Sequence, residues 1–450
     1  MRRSRMLQSL LLGLSCTTGL VLAQAPSNTQ ARPTLQPSAQ APASPLPAAA
    51  PESVGFSSTR LQRLDEAVSG AIDAKELAGA VTAVARHGKV VSFKAQGFQD
   101  IASRTPMRTD TIFRIYSMTK PITGVAMMML YEEGKWSPSD PLAKFIPAFA
   151  SLKVFAGTDK DGNPILQDPA HPPTVGELMT HTAGFTYGVF GDTPVDRLYQ
   201  KENPLRSGSL QEFVEKLARL PLAYQPGEAW VYSVSVDVQG YLVEKLSGKP
   251  LPDFMRERIF DPLGMKDSGF AVPESKLGRL ATMYVADPKT GELQPRPRDP
   301  NISRVPGMAS GGGGLYSTAG DYLRFAQMLL NGGTLEGARL LAPSSVELMR
   351  SNKLPERLMT GKFGIGLQTM RPGFGFGYDV AVFTDPSTAG TTAGKGSYLW
   401  DGAAGTWFLI DPSNDVVFVG MIQRMLAPGM RDYEHLSRAL TYQALVDPRK

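Results

Sequence analysis

A serine and a lysine three residues apart are the residues of this chain best suited to nucleophilic chemistry. The segment Ser117-Met118-Thr119-Lys120 is the one S-x-x-K arrangement in the sequence. On a helix, positions i and i+3 share a face, so the amine can reach the hydroxyl. A neutral amine can take the hydroxyl proton and leave a nucleophile, and burial in front of the apolar run 122–131 would lower the pKa of the amine. The segment therefore predicts an activated serine.

Pro121 places this pair at the start of a helix. Proline would break a helix interior, but in the first turn its missing N–H group costs nothing. A helix start also offers free amides and a positive dipole end, which favour negative charge near Ser117. An isolated S-x-x-K pair also arises by chance, so this context is what favours a catalytic reading.

Other catalytic arrangements are missing from the sequence. There is no G-x-S-x-G segment, and the four histidines form no H-E-x-x-H pattern, which argues against an α/β-hydrolase and a zinc hydrolase. No metal and no cofactor is predicted. The glycines of 373–377 follow a proline and predict a flexible loop, whereas 311–314 predicts a tight turn bordering the cleft. His181 is interpreted as a hydrogen-bonded structural residue.

The elements that must position the serine follow from hydrophobic periodicity. Helices are predicted over 57–74, 122–131, 210–220, 236–246, 321–330 and 344–351. Strands are predicted over 81–85 and 90–93, joined as a hairpin, and over 406–410 and 416–422. Asp161-Gly162 predicts a further hairpin. This order predicts an α/β fold of the α+β type, with an antiparallel sheet built from both chain ends, flanked by helices, and an inserted, mostly helical lobe.

The first 51 residues differ in composition from the rest. They contain Arg2, Arg3, Arg5 and Arg32 and no acidic residue, which leaves 43 of the 47 basic residues against 42 acidic ones in 52–450. A balanced domain of this kind predicts no nucleic-acid partner. The linker 26–51, rich in proline and alanine, is predicted to be disordered, and 52–450 to form one domain.

Residues 1–25 have the pattern of a secretory signal peptide. Three arginines precede an apolar run that ends in Ala23-Gln24-Ala25, so cleavage is predicted after Ala25, with no stable membrane span afterwards. The mature protein is then periplasmic or secreted. Cys16, the only cysteine, is an alternative lipoprotein acceptor, which its place within the apolar run disfavours.

Residues 113–121 resemble the active-site segment of the serine β-lactamase and penicillin-binding-protein superfamily. The similarity is closest to the class C enzymes and their relatives, the family VIII carboxylesterases. It continues in the order of the superfamily through 179–185, 224–233 and 311–319, and covers roughly residues 52–445. The resemblance implies a β-lactamase/transpeptidase-like fold.

The resemblance also implies roles for single residues. Ser117 would be the acylated nucleophile, Lys120 the amine that helps to deprotonate it, and Tyr232 the tyrosine that passes the proton as phenol or phenolate. Taken alone, Tyr232 is an aromatic residue of the kind that packs in a core.

A third superfamily element is best matched by Trp400-Asp401-Gly402-Ala403. By analogy, the Ala403 amide would join the Ser117 amide in an oxyanion hole, and Gly402 would let the substrate approach the backbone. Trp400 would border the substrate, and its alternative role is packing. Asp401 stands where a relative usually has glycine, which bears on the geometry of that hole.

Two departures from the lactamases bear on the substrate. Trp400 replaces the lysine that pairs with a substrate carboxylate, and Val234 replaces an asparagine. The resemblance then favours an exported serine hydrolase acting on short-chain carboxylic esters, with a small-molecule ester or amide as its partner. Two alternatives remain: a weak β-lactamase or D-alanyl-D-alanine carboxypeptidase, and a non-catalytic binder of cell-wall fragments.

Overall fold

The computed structural model describes residues 45–359, 370–427 and 429–449. The predicted signal peptide with Cys16, and residues 26–44 of the predicted linker, lie outside the described residues. Within the described ranges, no helix is both long enough and apolar enough to cross a lipid bilayer.

Six helices predicted from periodicity are present, as α1, α2, α5, α6, α9 and α10. The α-helices of the described residues are α1 (Ser58–Asp73), α2 (Thr119–Glu132), α3 (Val175–Met179), α4 (Pro194–Glu202), α5 (Leu210–Leu217), α6 (Ser235–Ser247), α7 (Leu251–Met255), α8 (Asp261–Leu263), α9 (Ala319–Leu330), α10 (Pro343–Arg350) and α11 (Tyr433–Tyr442).

The strands of the large sheet come from the two ends of the chain, and short strands lie between the helices in the middle. They are β1 (Gly79–Arg86), β2 (Lys89–Asp100), β3 (Thr105–Pro106), β4 (Phe113–Arg114), β5 (Val154–Thr158), β6 (Pro164–Gln167), β7 (Tyr284–Ala286), β8 (Leu293–Pro295), β9 (Tyr316–Ser317), β10 (Thr334–Leu335), β11 (Ala338–Arg339), β12 (Phe374–Phe376), β13 (Ala381–Phe383), β14 (Tyr398–Gly402), β15 (Thr406–Asp411) and β16 (Val416–Met421).

One eight-stranded antiparallel sheet joins both chain ends, in the order β12-β13-β14-β15-β16-β1-β2-β3. The strands from the two chain ends meet where β1 pairs with β16, with Val81 opposite Met421 and Arg86 opposite Val416. The prediction of a sheet built from both ends is thereby confirmed.

Helices cover both faces of this sheet. Successive strand residues point to opposite faces, and two neighbours in β15 show it. The Trp407 indole donates to the Ser437 hydroxyl of α11 at 3.0 Å, whereas the Phe408 ring lies 5.1 Å from the Tyr322 ring of α9. Because both faces are covered, every residue of β15 is buried.

The inserted lobe between β4 and β12 is mostly helical and is organised around α2. All residues of α2 from Thr119 to Leu130 are buried, as an all-round apolar helix requires. The helix packs against α6. This places the start of α2, which carries the predicted nucleophile, between the lobe and the sheet.

Two local predictions have opposite outcomes. The hairpin predicted around Asp161-Gly162 is present as β5 and β6. The flexible loop predicted over 373–377 is wrong, because β12 forms the edge strand of the sheet there and pairs Gly375 with Val382. A Cβ at Gly375 would lie 2.3 Å from the Asn352 side chain, so these glycines permit close packing.

The chain packs against the sheet from residue 45 onward, whereas the sequence places the start of the domain at 52. The Val90 amide donates to the Pro47 carbonyl at 2.8 Å, and the Ala49 amide donates to the Val90 carbonyl at 2.9 Å. Leu46 is buried at 4% exposure. The proline-rich composition therefore continues for a few residues into the ordered structure.

The buried Arg86 side chain, 2% exposed, ties both ends of the described chain together. Its Nη1 donates to the carbonyls of Val54 at 2.8 Å and Asp447 at 3.1 Å. Its Nη2 donates to Pro448 at 2.7 Å, and its Nε to Asn414 at 3.0 Å. One guanidinium thus supplies donors for four backbone carbonyls.

Candidate active site

Ser117 lies in a tight turn between β4 and α2. Residues Tyr116–Met118 form a 3₁₀ turn, and α2 begins at the next residue. Tyr116 has a φ of 44°, a left-handed conformation that is uncommon for a side chain of this size. Pro121 stands in the first turn of α2, as predicted. The chain thus reverses sharply at Tyr116 and leaves Ser117 partly exposed just before a buried helix.

The amine of Lys120 lies beside the Ser117 hydroxyl. Its Nζ is 3.1 Å from the Ser117 Oγ and donates to the Gly312 carbonyl at 2.6 Å. Lys120 has no exposed surface, because it enters the core from the first turn of α2. The geometry predicted from the S-x-x-K spacing is therefore present.

Burial lowers the pKa of Lys120 to about 8, since the charged form loses its water. The carboxyl groups of Asp237, Asp379 and Asp401 act in the opposite direction and raise it. The net effect leaves a substantial fraction of the amine neutral in mildly alkaline solution, so Lys120 can accept a proton from the adjacent hydroxyl.

Tyr232 lies on the other side of the same hydroxyl. It belongs to the irregular segment before α6, which is held by a hydrogen bond from the Val231 amide to the His181 carbonyl at 2.9 Å. The Trp400 indole donates to the Tyr232 oxygen at 3.4 Å. The Lys120 Nζ is 4.6 Å from the centre of the Tyr232 ring. Lys120, Tyr232 and Trp400, which are far apart in sequence, thus lie next to one another.

The Ser117 side chain lies close enough to the Tyr232 hydroxyl to lower its pKa. Burial raises the pKa of Tyr232 well above its ordinary range, and the hydrogen bonds from Ser117 and Trp400 offset only part of this rise. The phenol is therefore neutral at physiological pH. A neutral phenol beside a serine can donate a proton, while the neighbouring amine accepts one.

His181 is hydrogen-bonded and structural, as its interpretation from sequence expects. Its Nδ1 lies 3.1 Å from the Ser233 hydroxyl and 3.3 Å from the Ser233 amide. Its ring packs 5.1 Å from that of Tyr232. Burial, together with the charge of Lys120, holds the pKa of His181 well below its usual range. The imidazole is thus a neutral support for the tyrosine.

The third predicted element is strand β14, whose end lies against the turn that carries Ser117. A Cβ at Gly402 would be 2.2 Å from the Ile115 carbonyl oxygen. The Thr406 hydroxyl donates to this same oxygen at 3.2 Å. Only glycine therefore allows β14 to approach so closely. Trp400, on the same face of β14, is 8% exposed and reaches Tyr232.

The amide of Ala403, which follows β14, donates to no group within the described ranges, while its carbonyl accepts from Leu426 at 2.9 Å. This leaves an N–H group free next to the turn of Ser117. Asp401 alternates with Trp400 and Gly402, so it points to the opposite face. There it lines a separate cleft with Met430 and Glu434.

A buried carboxylate that the sequence does not single out holds the glycine turn at 311–314. The Asp237 Oδ1 accepts from the Gly312 amide at 3.1 Å and from the Ser310 hydroxyl at 2.5 Å. The carbonyl of the same Gly312 accepts from Lys120. Asp237 therefore positions the backbone group that orients the amine. Its one sequence signal is an acidic residue at the start of the apolar helix α6.

A second tyrosine, Tyr187, also lies near the Lys120 amine, and no sequence motif indicates it. The Lys120 Nζ is 5.4 Å from the centre of its ring. The ring is 5.4 Å from Tyr232 and 5.4 Å from Phe190. Phe190 remains 40% exposed and Val189 65% exposed. These side chains form an aromatic wall, defined as Tyr187, Phe190, Tyr232 and Trp400, along one side of Ser117.

The sequence of this chain is similar to a known protein family and to several proteins of that kind. The family model described as Beta-lactamase matches residues 64–443. An uncharacterized protein of Mycobacterium tuberculosis is 38% identical over 358 residues, which cover 78% of this chain and 87% of the relative. Esterase EstB of Burkholderia gladioli is 34% identical over 377 residues, with coverage of 77% and 86%.

Among solved structures, EstCE1 superimposes on this chain with a TM-score of 0.70 and 27% identity. The match covers 85% of this chain and 99% of that protein, whose structure is described as a hydrolase with promiscuous acyltransferase activity. The superposition extends over the sheet and the helical lobe alike.

Proposed function

Because the chain belongs to the β-lactamase family, we propose that it is a serine hydrolase that forms an acyl-enzyme on Ser117 and cleaves short-chain carboxylic esters. One observation carries this proposal. The buried Lys120 amine lies 3.1 Å from the Ser117 hydroxyl, and the neutral Tyr232 phenol lies beside the Ser117 side chain. Esterase EstB, at 34% identity, supports an ester as the substrate.

Acylation begins with proton transfer from Ser117 to Lys120. The neutral amine accepts the proton across 3.1 Å, and the serine oxygen attacks the ester carbonyl. The Gly312 carbonyl, 2.6 Å from the amine, stabilises the ammonium ion that forms. A tetrahedral intermediate with a negative oxygen results.

The amides of Ser117 and Ala403 are proposed to bind that negative oxygen. Preorganised N–H groups stabilise developing charge by roughly 3 to 4 kcal/mol for each donor. The free Ala403 amide and the close approach of Gly402 to Ile115 support this role. Asp401 does not obstruct it, because its side chain faces away.

Tyr232 is proposed to protonate the leaving alcohol. As the carbon–oxygen bond to the alcohol breaks, the phenol gives up its proton, and the ammonium of Lys120 restores it. The raised pKa of Tyr232 supports a phenol donor over a phenolate base. Water then attacks the acyl-enzyme while Lys120 takes its proton. As the bond between the acyl carbon and the Ser117 oxygen breaks, that proton passes from Lys120 to the serine oxygen and leaves the amine neutral again.

An uncharged acyl group fits the surroundings of the serine better than a penicillin or a stem peptide. Trp400 packs on Tyr232, where the lactamases have a lysine for the substrate carboxylate. The aromatic wall offers apolar surface for a short acyl chain. These contacts favour the esterase over the lactamase and carboxypeptidase alternatives, and the intact Ser117–Lys120 pair disfavours a binder without turnover.

Chromogenic esters and a chromogenic cephalosporin test this assignment together. We expect hydrolysis of the butyrate ester by the wild-type protein and its loss, by at least about a thousandfold, in Ser117→Ala. Ser151→Ala changes an exposed serine away from the site and should retain full activity. Faster turnover of the cephalosporin than of the ester would reject the esterase.

Export is part of the proposal and rests on the sequence of residues 1–25. Expression of the full chain in a bacterium, followed by fractionation and intact-mass measurement, tests it. We expect a periplasmic or secreted protein that begins at Pro26. A lipid-modified mass starting at Cys16 would identify a lipoprotein, and an uncleaved cytoplasmic chain would contradict export.

A further inference from the structure

A cationic cleft opens beside the nucleophile, on residues that the mechanism above does not use. It has a volume of about 280 Å³ and is lined by Arg114, Arg296, Arg298 and Tyr116 among other residues. Tyr116 directly precedes Ser117. None of the residues of the aromatic wall lines this cleft. The cleft therefore extends to the residue next to the nucleophile, and its lining is separate from the aromatic wall.

The charges of this cleft are not neutralised by ion pairs. Within the described residues, Arg114, Arg296 and Arg298 form no salt bridge. The neighbouring Arg279, in contrast, pairs with Asp267. Asp299 is the one acidic residue of the lining, so the cleft keeps an excess of positive charge.

Arg114 forms the rigid floor of the cleft. Its guanidinium lies between two tyrosines, 5.0 Å from the ring centre of Tyr116 and 4.9 Å from that of Tyr316. It donates to the Tyr316 hydroxyl at 2.9 Å and to the Gly313 carbonyl at 3.2 Å. Its buried Nε has no partner within the described residues. The side chain is therefore fixed in place with donor capacity left over.

Arg296 and Arg298 lie exposed at the rim, on the segment that follows β8. Arginine binds carboxylate and phosphate through its planar fork of N–H groups. A partly buried guanidinium held by hydrogen bonds, beside two exposed ones, is suited to an anion that enters from solvent. A cleft of this volume holds one small group.

We propose that this cleft binds an anionic group, a carboxylate or a phosphate, carried by the alcohol part of the ester substrate. The inference rests on the proposed esterase function. If a short acyl chain packs on the aromatic wall, the alcohol on the other side of the scissile bond lies toward Tyr116 and the arginines. The enzyme would thus select esters whose leaving group is an acid, such as a hydroxy acid or a phosphorylated alcohol.

Three pairs of matched substrates test the proposal. The first pair is the acetate ester of 4-hydroxybenzoate and that of neutral 4-hydroxybenzamide. The second is the acetate ester of 4-hydroxyphenyl phosphate with that of its neutral dimethyl phosphate triester. The third places the charge on the acyl side, as 4-nitrophenyl hemisuccinate against 4-nitrophenyl butyrate. Rates with hydroxide correct each kcat/KM for intrinsic reactivity.

We expect the anionic alcohol esters to exceed their neutral partners in corrected kcat/KM by about tenfold. In Arg296→Gln/Arg298→Gln this ratio should fall about fivefold, as the loss of two exposed ionic contacts implies. Arg304→Gln, an exposed arginine outside the cleft lining, is the control and should keep the wild-type ratio. Thermal melting verifies that each variant is folded.

The salt dependence of the preference for anionic esters tests the same contact independently. The Debye screening length shortens from about 30 Å at 0.01 M to about 8 Å at 0.15 M ionic strength. The preference of the wild type for the anionic ester should therefore decline over this range. The decline should be weaker in Arg296→Gln/Arg298→Gln.

Two results would overturn the proposal while the esterase function stands. One is equal corrected kcat/KM for anionic and neutral alcohol esters, with the neutral esters turned over. The other is a preference confined to the acyl-side pair, which would place the anion on the wrong part of the substrate. A different result, no turnover of any ester, would instead refute the esterase function.

Discussion

Burial shifts the pKa values of Lys120 and Tyr232 in opposite senses and favours the neutral form of both groups. The amine loses its charge more easily, with a pKa lowered to about 8. The phenol keeps its proton, because its pKa is raised. The same apolar surroundings thus prepare one acceptor and one donor on either side of the Ser117 hydroxyl. This division of roles follows from desolvation alone and needs no additional charged residue.

The pH dependence of ester hydrolysis follows from the lysine. Below a pH of about 8 the ammonium form of Lys120 predominates and cannot accept the serine proton. We therefore expect kcat/KM to rise as the pH increases through about 8 and then to reach a plateau. Rates for a neutral ester, with the buffer-catalysed rate subtracted, measure this. A midpoint near 6.5, the ordinary value of a histidine, would point to a different base.

Replacement of single tyrosines separates the proton donor from its neighbour. Tyr232→Phe removes the hydroxyl that contacts Ser117 and keeps the ring that packs on His181 and Trp400. We expect kcat to fall by roughly 10² to 10⁴, the usual contribution of a general acid, with little change in melting temperature. Tyr187→Phe is the matched variant and should lower kcat by less than about tenfold. The reverse order would assign the proton transfer to Tyr187.

At the scale of elements, strand β14 and the turn of Ser117 form one unit. The end of β14 approaches the Ile115 carbonyl so closely that no side chain fits at Gly402. The Thr406 hydroxyl of β15 fixes the same carbonyl. The position of the nucleophile relative to the sheet is thus set by the close approach of two backbone segments and by one buried hydrogen bond from a side chain.

Alanine at Gly402 tests this unit. The new Cβ would lie 2.2 Å from the Ile115 oxygen, so strand and turn must move apart. We expect a loss of about 1 to 3 kcal/mol in the free energy of unfolding and a fall in kcat of more than about a hundredfold.

The control is Gly70→Ala in α1, where a Cβ meets nothing within 4 Å. Alanine should stabilise this helix by about 0.5 to 1 kcal/mol and leave kcat unchanged. Chemical denaturation and ester hydrolysis measure both variants. If Gly402→Ala were as active as Gly70→Ala, the close approach would have no part in catalysis.

The parts of this site whose residues are close together in the chain are predictable from the sequence. The spacing of Ser117 and Lys120, with Pro121 beside them, predicts a contact that one helical turn creates. The hairpin at β1 and β2 is predicted for the same reason, since turn chemistry and alternation act over a few residues. Tyr232 and Trp400 were reached through the resemblance, which preserves a tertiary arrangement that spacing does not encode.

The missed features depend on packing between distant segments. Tyr187 and Asp237 approach Lys120 only after the lobe has folded, and nothing adjacent in sequence marks either residue. Strand β12 was predicted as a loop because three residues between glycines carry too little alternation to indicate a strand. The cationic cleft joins Arg114 to Arg296 across the fold. Such contacts have no periodic signal in one sequence.

At the scale of the whole molecule, the sheet and Arg86 close the two ends of the chain on each other. Four carbonyls from the start of the domain, the β15–β16 turn and the C-terminal residues share this one guanidinium. Each carbonyl left without a donor in a buried site costs on the order of 1 kcal/mol or more. Arg86 is therefore a stabilising contact remote from catalysis.

Arg86→Met should lower the free energy of unfolding by about 3 kcal/mol, because the apolar side chain fills space but donates to none of these carbonyls. The comparison is Arg63→Met, whose exposed side chain donates to Gln443 at 2.9 Å and should contribute less than about 0.5 kcal/mol. Urea denaturation of both variants measures the difference. A loss below about 1 kcal/mol for Arg86→Met would show that water replaces the guanidinium.

The pairing of β1 with β16, which joins strands from the two chain ends, also governs how a growing chain can fold. Val81 is synthesised long before its partner Met421. The β1 edge of the β1–β2 hairpin therefore stays unpaired until nearly all of the chain has been made. Premature termination before residue 416 would leave that edge open to the same strand of another copy. Truncated chains are accordingly expected to aggregate or to be degraded. Formation of the active enzyme depends on synthesis of the final strand.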